Sequence, residues 1–101
     1  MKLSLLIGAL CLTPLLSTVA EDWPMWRGPR LDGRTADTGF PVAADAETLQ
    51  WKTALRGEGH ASPIVHGDRV FTVSCDAATE ERLLLCLDRA SGKVLWESAV
   101  L

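Results

Sequence analysis

Two kinds of hydrophobic pattern divide the chain. Residues 3–16 form an almost unbroken apolar run, whereas residues 62–100 contain short apolar stretches separated by polar, glycine-containing turns. Short stretches rich in β-branched and aromatic residues are typical of β-strands. No part of the chain after residue 20 has a convincing helical apolar period. The second half of the chain is therefore predicted to be all-β.

The short stretches predict four strands, at residues 63–65, 69–75, 82–87 and 94–100. Polar turns separate them at residues 66–68, 76–81 and 88–92. Residues 77–87 contain tolerable helix formers, but their apolar positions favour a strand. Four strands joined in sequence by short turns predict a four-stranded antiparallel meander.

Residues 21–61 are predicted to be an irregular lead-in to this sheet. Pro24, Pro29, Gly33 and Pro41 punctuate the segment and forbid long helices. The alternation over residues 49–54 predicts one short strand, with its tryptophan facing inward.

Residues 1–20 have the organisation of a secretory signal peptide. A positive charge at Lys2 precedes the apolar run, and Thr18 and Ala20 place small residues at the −3 and −1 positions of a cleavage site. The run is too short to span a bilayer comfortably. We expect cleavage after Ala20 and a secreted or periplasmic protein, which meets a membrane only through the signal peptide before cleavage. The alternative is an anchor that is retained.

Charge and cysteine content narrow the function classes. The chain has 10 Lys and Arg against 13 Asp and Glu, so it lacks the basic excess of a nucleic-acid-binding module. Cys75 and Cys86 both follow the cleavage site, and an even count in an oxidising compartment permits a disulfide between them. The alternative is two small buried thiols on adjacent strands.

The reactive side chains of the sequence carry no catalytic or ligand-binding signature. His60 and His66 lack partners at metal-ligand spacing, and Ser62 and Ser74 lack the glycine-flanked context of a nucleophile. The sequence therefore predicts no catalytic, cofactor-binding or metal-binding residue.

The most informative segment is the last predicted turn and the strand after it. Asp88 can accept hydrogen bonds from backbone N–H groups two residues on, and Ser91 can do so more weakly. Gly92 can adopt the positive φ that a tight hairpin needs, and Trp96 is placed to pack over a neighbour.

The spacing Asp-x-x-Ser-Gly-x-x-x-Trp resembles the tryptophan-docking motif of PQQ-binding-like, quinoprotein-type β-propellers. Its usual form is Ala-x-Asp-x-x-Thr-Gly-x-x-x-Trp, so Cys86 replaces the usual Ala and Ser91 the usual Thr. Residues 22–33 are also similar to the start of secreted bacterial proteins of this repeat family. The resemblance implies that residues 62–101 form one blade, with Trp96 packed between adjacent blades.

This resemblance implies an incomplete propeller, because a propeller has roughly four to eight blades of about 40 to 50 residues. The chain has room for one, so we expect an N-terminal segment of a longer protein. The implied function is a structural or protein-interaction scaffold, as in the related outer-membrane β-barrel assembly lipoprotein. Its partners would be further blades or other proteins. The alternative is a quinoprotein dehydrogenase that uses PQQ and calcium to oxidise alcohols or sugars, although no residue here matches a ligand or base of such enzymes.

Overall fold

Backbone hydrogen bonds join four strands into one antiparallel sheet in the computed structural model, which describes residues 20–100. The strands are β1 (Ile64–His66), β2 (Arg69–Asp76), β3 (Glu81–Asp88) and β4 (Val94–Ala99). Each pairs with its neighbour in sequence, in the order β1-β2-β3-β4. The predicted fold class is confirmed: an all-β, four-stranded antiparallel meander after an irregular lead-in, consistent with one propeller blade.

One face of the sheet carries the core. The register pairs Val70 with Leu87, and it places Leu85 and Leu83 further along the same face. These three leucines are at most 3% exposed, and Trp51, Val70 and Val94 pack against them. We call this the covered face, because the lead-in lies across it.

The opposite side, called the open face, carries alternate residues of the same strands: Ile64, Phe71, Val73, Leu84, Cys86 and Trp96. Trp96 and Val73 are each 43% exposed, whereas Cys86 is 1% exposed. The open face is therefore apolar but only partly shielded from solvent.

The lead-in differs from one prediction, since residues 49–54 form no strand. Trp51 packs against the buried leucines, and Thr53 donates a hydrogen bond to the turn between β3 and β4. The lead-in pairs with the sheet by two isolated bridges, Trp23 with Val65 and Glu58 with Cys75. An alternation of apolar and polar residues indicates that one side of a segment is buried. It does not distinguish a segment whose side chains pack on a sheet face from one whose backbone pairs with a sheet edge.

The disulfide that the sequence permits between Cys75 and Cys86 is not formed in this structure, where both thiols are free. Cys86 lies opposite Phe71, and Cys75 is four residues further along β2. At a rise of about 3.4 Å per residue, that offset is roughly 13 Å, well beyond the span of a disulfide. The alternative of two buried thiols holds only for Cys86, because Cys75 is exposed.

The expected signal peptide falls almost entirely on residues 1–19, which lie, with Leu101, outside the described residues. Within residues 20–100, the structure contains no helix with the length and apolar character of a membrane span.

Candidate docking site

The turn between β3 and β4 is held by hydrogen bonds from the side chains that the motif supplies. Asp88 Oδ2 accepts hydrogen bonds from the backbone N of Ser91 at 2.9 Å and from its Oγ at 2.7 Å. Ser91 Oγ accepts one from the backbone N of Lys93 at 3.3 Å. Asp88 thus caps the turn through the backbone N–H and the hydroxyl of the residue three positions on.

Electrostatics favours the charged form of this cap. The pKa of Asp88 is lowered, chiefly because the Ser91 hydroxyl donates to its carboxylate and then because the Ser91 backbone N–H does so. A hydrogen bond that is made to the ionised form of a carboxyl favours that form. The turn is therefore built around an ionised aspartate.

Gly92 lets the lead-in approach the turn. It has a φ of +73°, and a Cβ built on it would lie 2.5 Å from the ring atoms Cδ2 and Cε3 of Trp51. The indole Nε1–H of Trp51 donates to the carbonyl of Arg89 at 2.8 Å, and Thr53 Oγ1 donates to the carbonyl of Gly92 at 2.6 Å. The glycine at position 92 therefore allows both the positive φ of the turn and the close approach of the Trp51 ring.

Arg89, a variable position of the motif, ties the turn to two other segments. Its guanidinium donates to the carbonyl of Gly67 in the β1–β2 turn at 3.0 Å. It also donates to the carbonyls of Ala20 at 2.9 Å and Glu21 at 3.2 Å. The turn, the neighbouring turn and the start of the lead-in therefore form one hydrogen-bonded unit.

Trp96 lies on the open face, away from that unit. Its ring is tilted by 55° against the ring of Phe71, with the centroids 6.2 Å apart. The register places Cys86 between these two residues, opposite both of them. The two rings flank the thiol and explain why Cys86 is buried on a face that is otherwise accessible.

Arg56 of the lead-in forms ion pairs at the end of the covered face that lies furthest from the turn between β3 and β4. Its guanidinium lies 2.9 Å from Glu81, 3.4 Å from Asp76 and 3.7 Å from Glu97, three carboxylates on different strands. Its carbonyl accepts a 2.6 Å hydrogen bond from Ser74 Oγ. Ser74 is thus engaged in holding the lead-in.

Residues considered for chemistry are dispersed. His66 Nδ1 lies 3.6 Å from a carboxylate oxygen of Asp22, with its side chain 81% exposed. In the described part of the chain, no three His, Cys, Asp or Glu side chains gather closely enough to hold a metal ion.

The structure brings together only some of the residues that resemble a docking motif. Asp88, Ser91 and Gly92 form the turn, while Trp96 projects from β4 onto the open face. Sequence reasoning missed Arg89 and Arg56, because their partners are carbonyls and carboxylates that are distant in sequence. Their only sequence signal was proximity to a glycine-containing turn.

Comparisons with protein-family models, with curated proteins and with solved structures find no match to the chain.

Proposed function

We propose that this chain is a secreted or periplasmic blade of a PQQ-like β-propeller repeat protein, acting as a structural or protein-interaction scaffold. The observation that carries the proposal is the difference between the two faces of one sheet. The lead-in covers one face, while the other presents the apolar side chains of Val73 and Trp96 to solvent, with Phe71 partly buried beside Trp96.

An apolar sheet face of this kind supports packing against another sheet. Exposed apolar patches mark interaction surfaces, and packed sheets lie about 10 Å apart with their side chains interdigitated. Phe71 and Trp96 both pair with Cys86, from the strands on either side of it, and their rings pack together into one aromatic ridge. A ridge of large rings suits the groove of a neighbouring blade, which is the position that the motif resemblance gives to Trp96.

The experiment begins with the coding sequence. Reading the gene beyond codon 101 should reveal further Asp-x-x-Thr/Ser-Gly-x-x-x-Trp units about every 40 residues, as expected for propeller repeats. A stop codon directly after Leu101 would contradict the blade assignment, because a lone sheet has no neighbour to cover its open face.

In the complete protein, Trp96→Ala should lower the free energy of unfolding by roughly 3 to 5 kcal/mol, because a ring buried between blades is lost. Phe40→Ala is the control, since Phe40 is 65% exposed in the lead-in, and its effect should stay within about 0.5 kcal/mol. Urea denaturation measures both. An effect of Trp96→Ala below about 1 kcal/mol would count against interblade packing.

The dehydrogenase alternative makes a separate prediction. The complete protein would bind PQQ in the presence of calcium and reduce an electron-accepting dye with an alcohol or sugar. The scaffold function predicts neither a bound quinone spectrum nor dye reduction, while the packing role of Trp96 holds for both functions.

A further inference from the structure

Both polar groups of the peptide bond between Ala20 and Glu21 are engaged by the folded chain. The carbonyl of Ala20 accepts a 2.9 Å hydrogen bond from Arg89 Nη2. The backbone N of Glu21 lies 3.0 Å from Oδ1 and 3.0 Å from Oδ2 of Asp37, which is 16 residues away. One backbone N–H is thus shared by both oxygens of a carboxylate, and these oxygens could equally accept hydrogen bonds from an ammonium group at the same nitrogen.

We propose that Asp37 binds the α-ammonium group of Glu21 that is created when the leader is removed after Ala20. The proposal rests on the sequence expectation of cleavage at that bond and does not depend on blade packing. In the cleavage, water adds across the peptide bond. Its hydroxyl joins the carbonyl carbon of Ala20 and its hydrogen joins the nitrogen of Glu21, which gives a carboxylic acid and a neutral amine. Near neutral pH the acid releases a proton and the amine takes one up, so that Glu21 begins with an ammonium group.

Cleavage changes the chemistry of the contact without requiring movement of Asp37. Before cleavage a neutral N–H donates to the carboxylate. Afterwards, the protonated amine carries a positive charge at the same place. The contact thereby changes from a hydrogen bond to one charged group into an ion pair between two opposite charges, which adds Coulomb attraction to the hydrogen bond. The new α-ammonium group thus binds to a carboxylate, Asp37, that already lies beside the Glu21 nitrogen before cleavage.

The neighbouring charges leave Asp37 available to the amine. The Glu21 carboxylate is occupied by Arg30 at 2.8 and 2.9 Å and by Thr35 Oγ1 at 2.9 Å. The hydrogen bond from Arg89 to the Glu21 carbonyl, at 3.2 Å, does not involve Ala20. The charged groups near the new terminus are the carboxylates of Asp37, Glu21 and Asp22, the last of which lies 3.5 Å from Arg89, and the guanidiniums of Arg30 and Arg89. Asp37 is the one in direct contact with the Glu21 nitrogen.

The first test is the identity of the terminus. The complete coding sequence is expressed with its own leader in a bacterium, and the exported protein is analysed by intact mass and N-terminal sequencing. We expect Glu21 as the first residue. A different first residue, or retention of residues 1–20, would overturn the proposal.

The second test is the pKa of the Glu21 α-amine, measured by a ¹⁵N NMR titration of the exported protein. The Asp37 carboxylate should raise that pKa by about one pH unit above the ordinary range near 8. Asp37→Asn should return it to that range. Asp45→Asn is the matched control, because Asp45 caps only its own turn through the backbone N–H groups of Glu47 and Thr48. Equal values in the wild type and Asp37→Asn would contradict the proposal.

Stability gives an independent measurement that does not require Asp37→Asn to fold. An amine with a raised pKa stabilises the folded state below its unfolded pKa, and this contribution is lost as the pH rises through its folded pKa. The urea midpoint of the exported protein should therefore fall between about pH 8 and 10. Acetylation of the α-amine should abolish that fall. An identical fall in the acetylated protein would rule out the ion pair.

Discussion

The indole ring of Trp51 lies where a side chain on residue 92 would have to be. An ideal Cβ on Gly92 would come within 2.5 Å of the Trp51 ring and 2.7 Å of Thr53 Oγ1. Those two side chains also donate to the carbonyls of Arg89 and Gly92. The motif glycine is therefore the point where the lead-in and the sheet are joined.

Gly92→Ala should destabilise the protein by more than its positive φ alone requires. A left-handed conformation costs an L-residue about 1 to 2 kcal/mol, and displacement of Trp51 from the core adds about 1 kcal/mol or more. Gly67→Ala is the matched control, because Gly67 also has a positive φ, +56°, but has nothing within 4 Å of its Cβ position. Urea denaturation of both variants measures the difference, and equal effects would show that Trp51 does not press on the turn.

Ser91 should control the titration of Asp88. Its hydroxyl and backbone N–H lower the pKa of Asp88, so this cap contributes stability above the ordinary aspartate pKa and loses it as the pH falls through the lowered value. Ser91→Ala should raise the pKa of Asp88 and move acid unfolding to a higher pH. Ser91→Thr retains a hydroxyl and should keep both near their wild-type values. A ¹³C NMR titration of Asp88 measures the pKa, and an unchanged value in Ser91→Ala would contradict the turn geometry.

Arg30 should determine how Glu21 responds to acid. The Arg30 hydrogen bonds, followed by that of the Ala36 backbone, lower the pKa of Glu21 to about 2. The stabilisation is present above the ordinary pKa and disappears as the pH falls toward about 2. Arg30→Ala should raise the pKa of Glu21 and shift acid unfolding upward. Arg27→Ala, which removes only a guanidinium 5.8 Å from the Trp26 ring centroid, should leave the pKa of Glu21 unchanged.

The two cysteines that follow the cleavage site should react very differently with a thiol reagent. Cys75 is exposed and should be labelled rapidly in the native protein, while Cys86 is 1% exposed and should be labelled only after unfolding. The intact mass should be the same with and without reductant. Rapid native labelling of Cys86 would show that the Phe71 and Trp96 rings do not cover it, and a two-dalton gain on reduction would show a disulfide.

Hydrophobic patterning alone was sufficient to predict the four strands, their order and the three turns between them. Each observed strand begins and ends within one residue of its predicted position. Because the connections are short, the nearest partner of each strand is its neighbour in sequence. The order of strands along the chain therefore determines a meander. The hydrogen bond between Asp88 and Ser91 that caps the last turn was also predictable, because the two residues are only three positions apart.

Tertiary structure alone decided how the lead-in lies against the sheet. Residues 49–54 have the pattern of a strand, but they form none, and Trp51 packs against the cluster that contains Leu85 and Leu87. The β2–β3 register likewise separates Cys75 from Cys86, because it is set by the whole pairing of the two strands and not by the spacing of the cysteines in sequence. The contacts of Arg56 and Arg89 join segments 18 or more residues apart, and such pairings exist only once the sheet has formed its two faces.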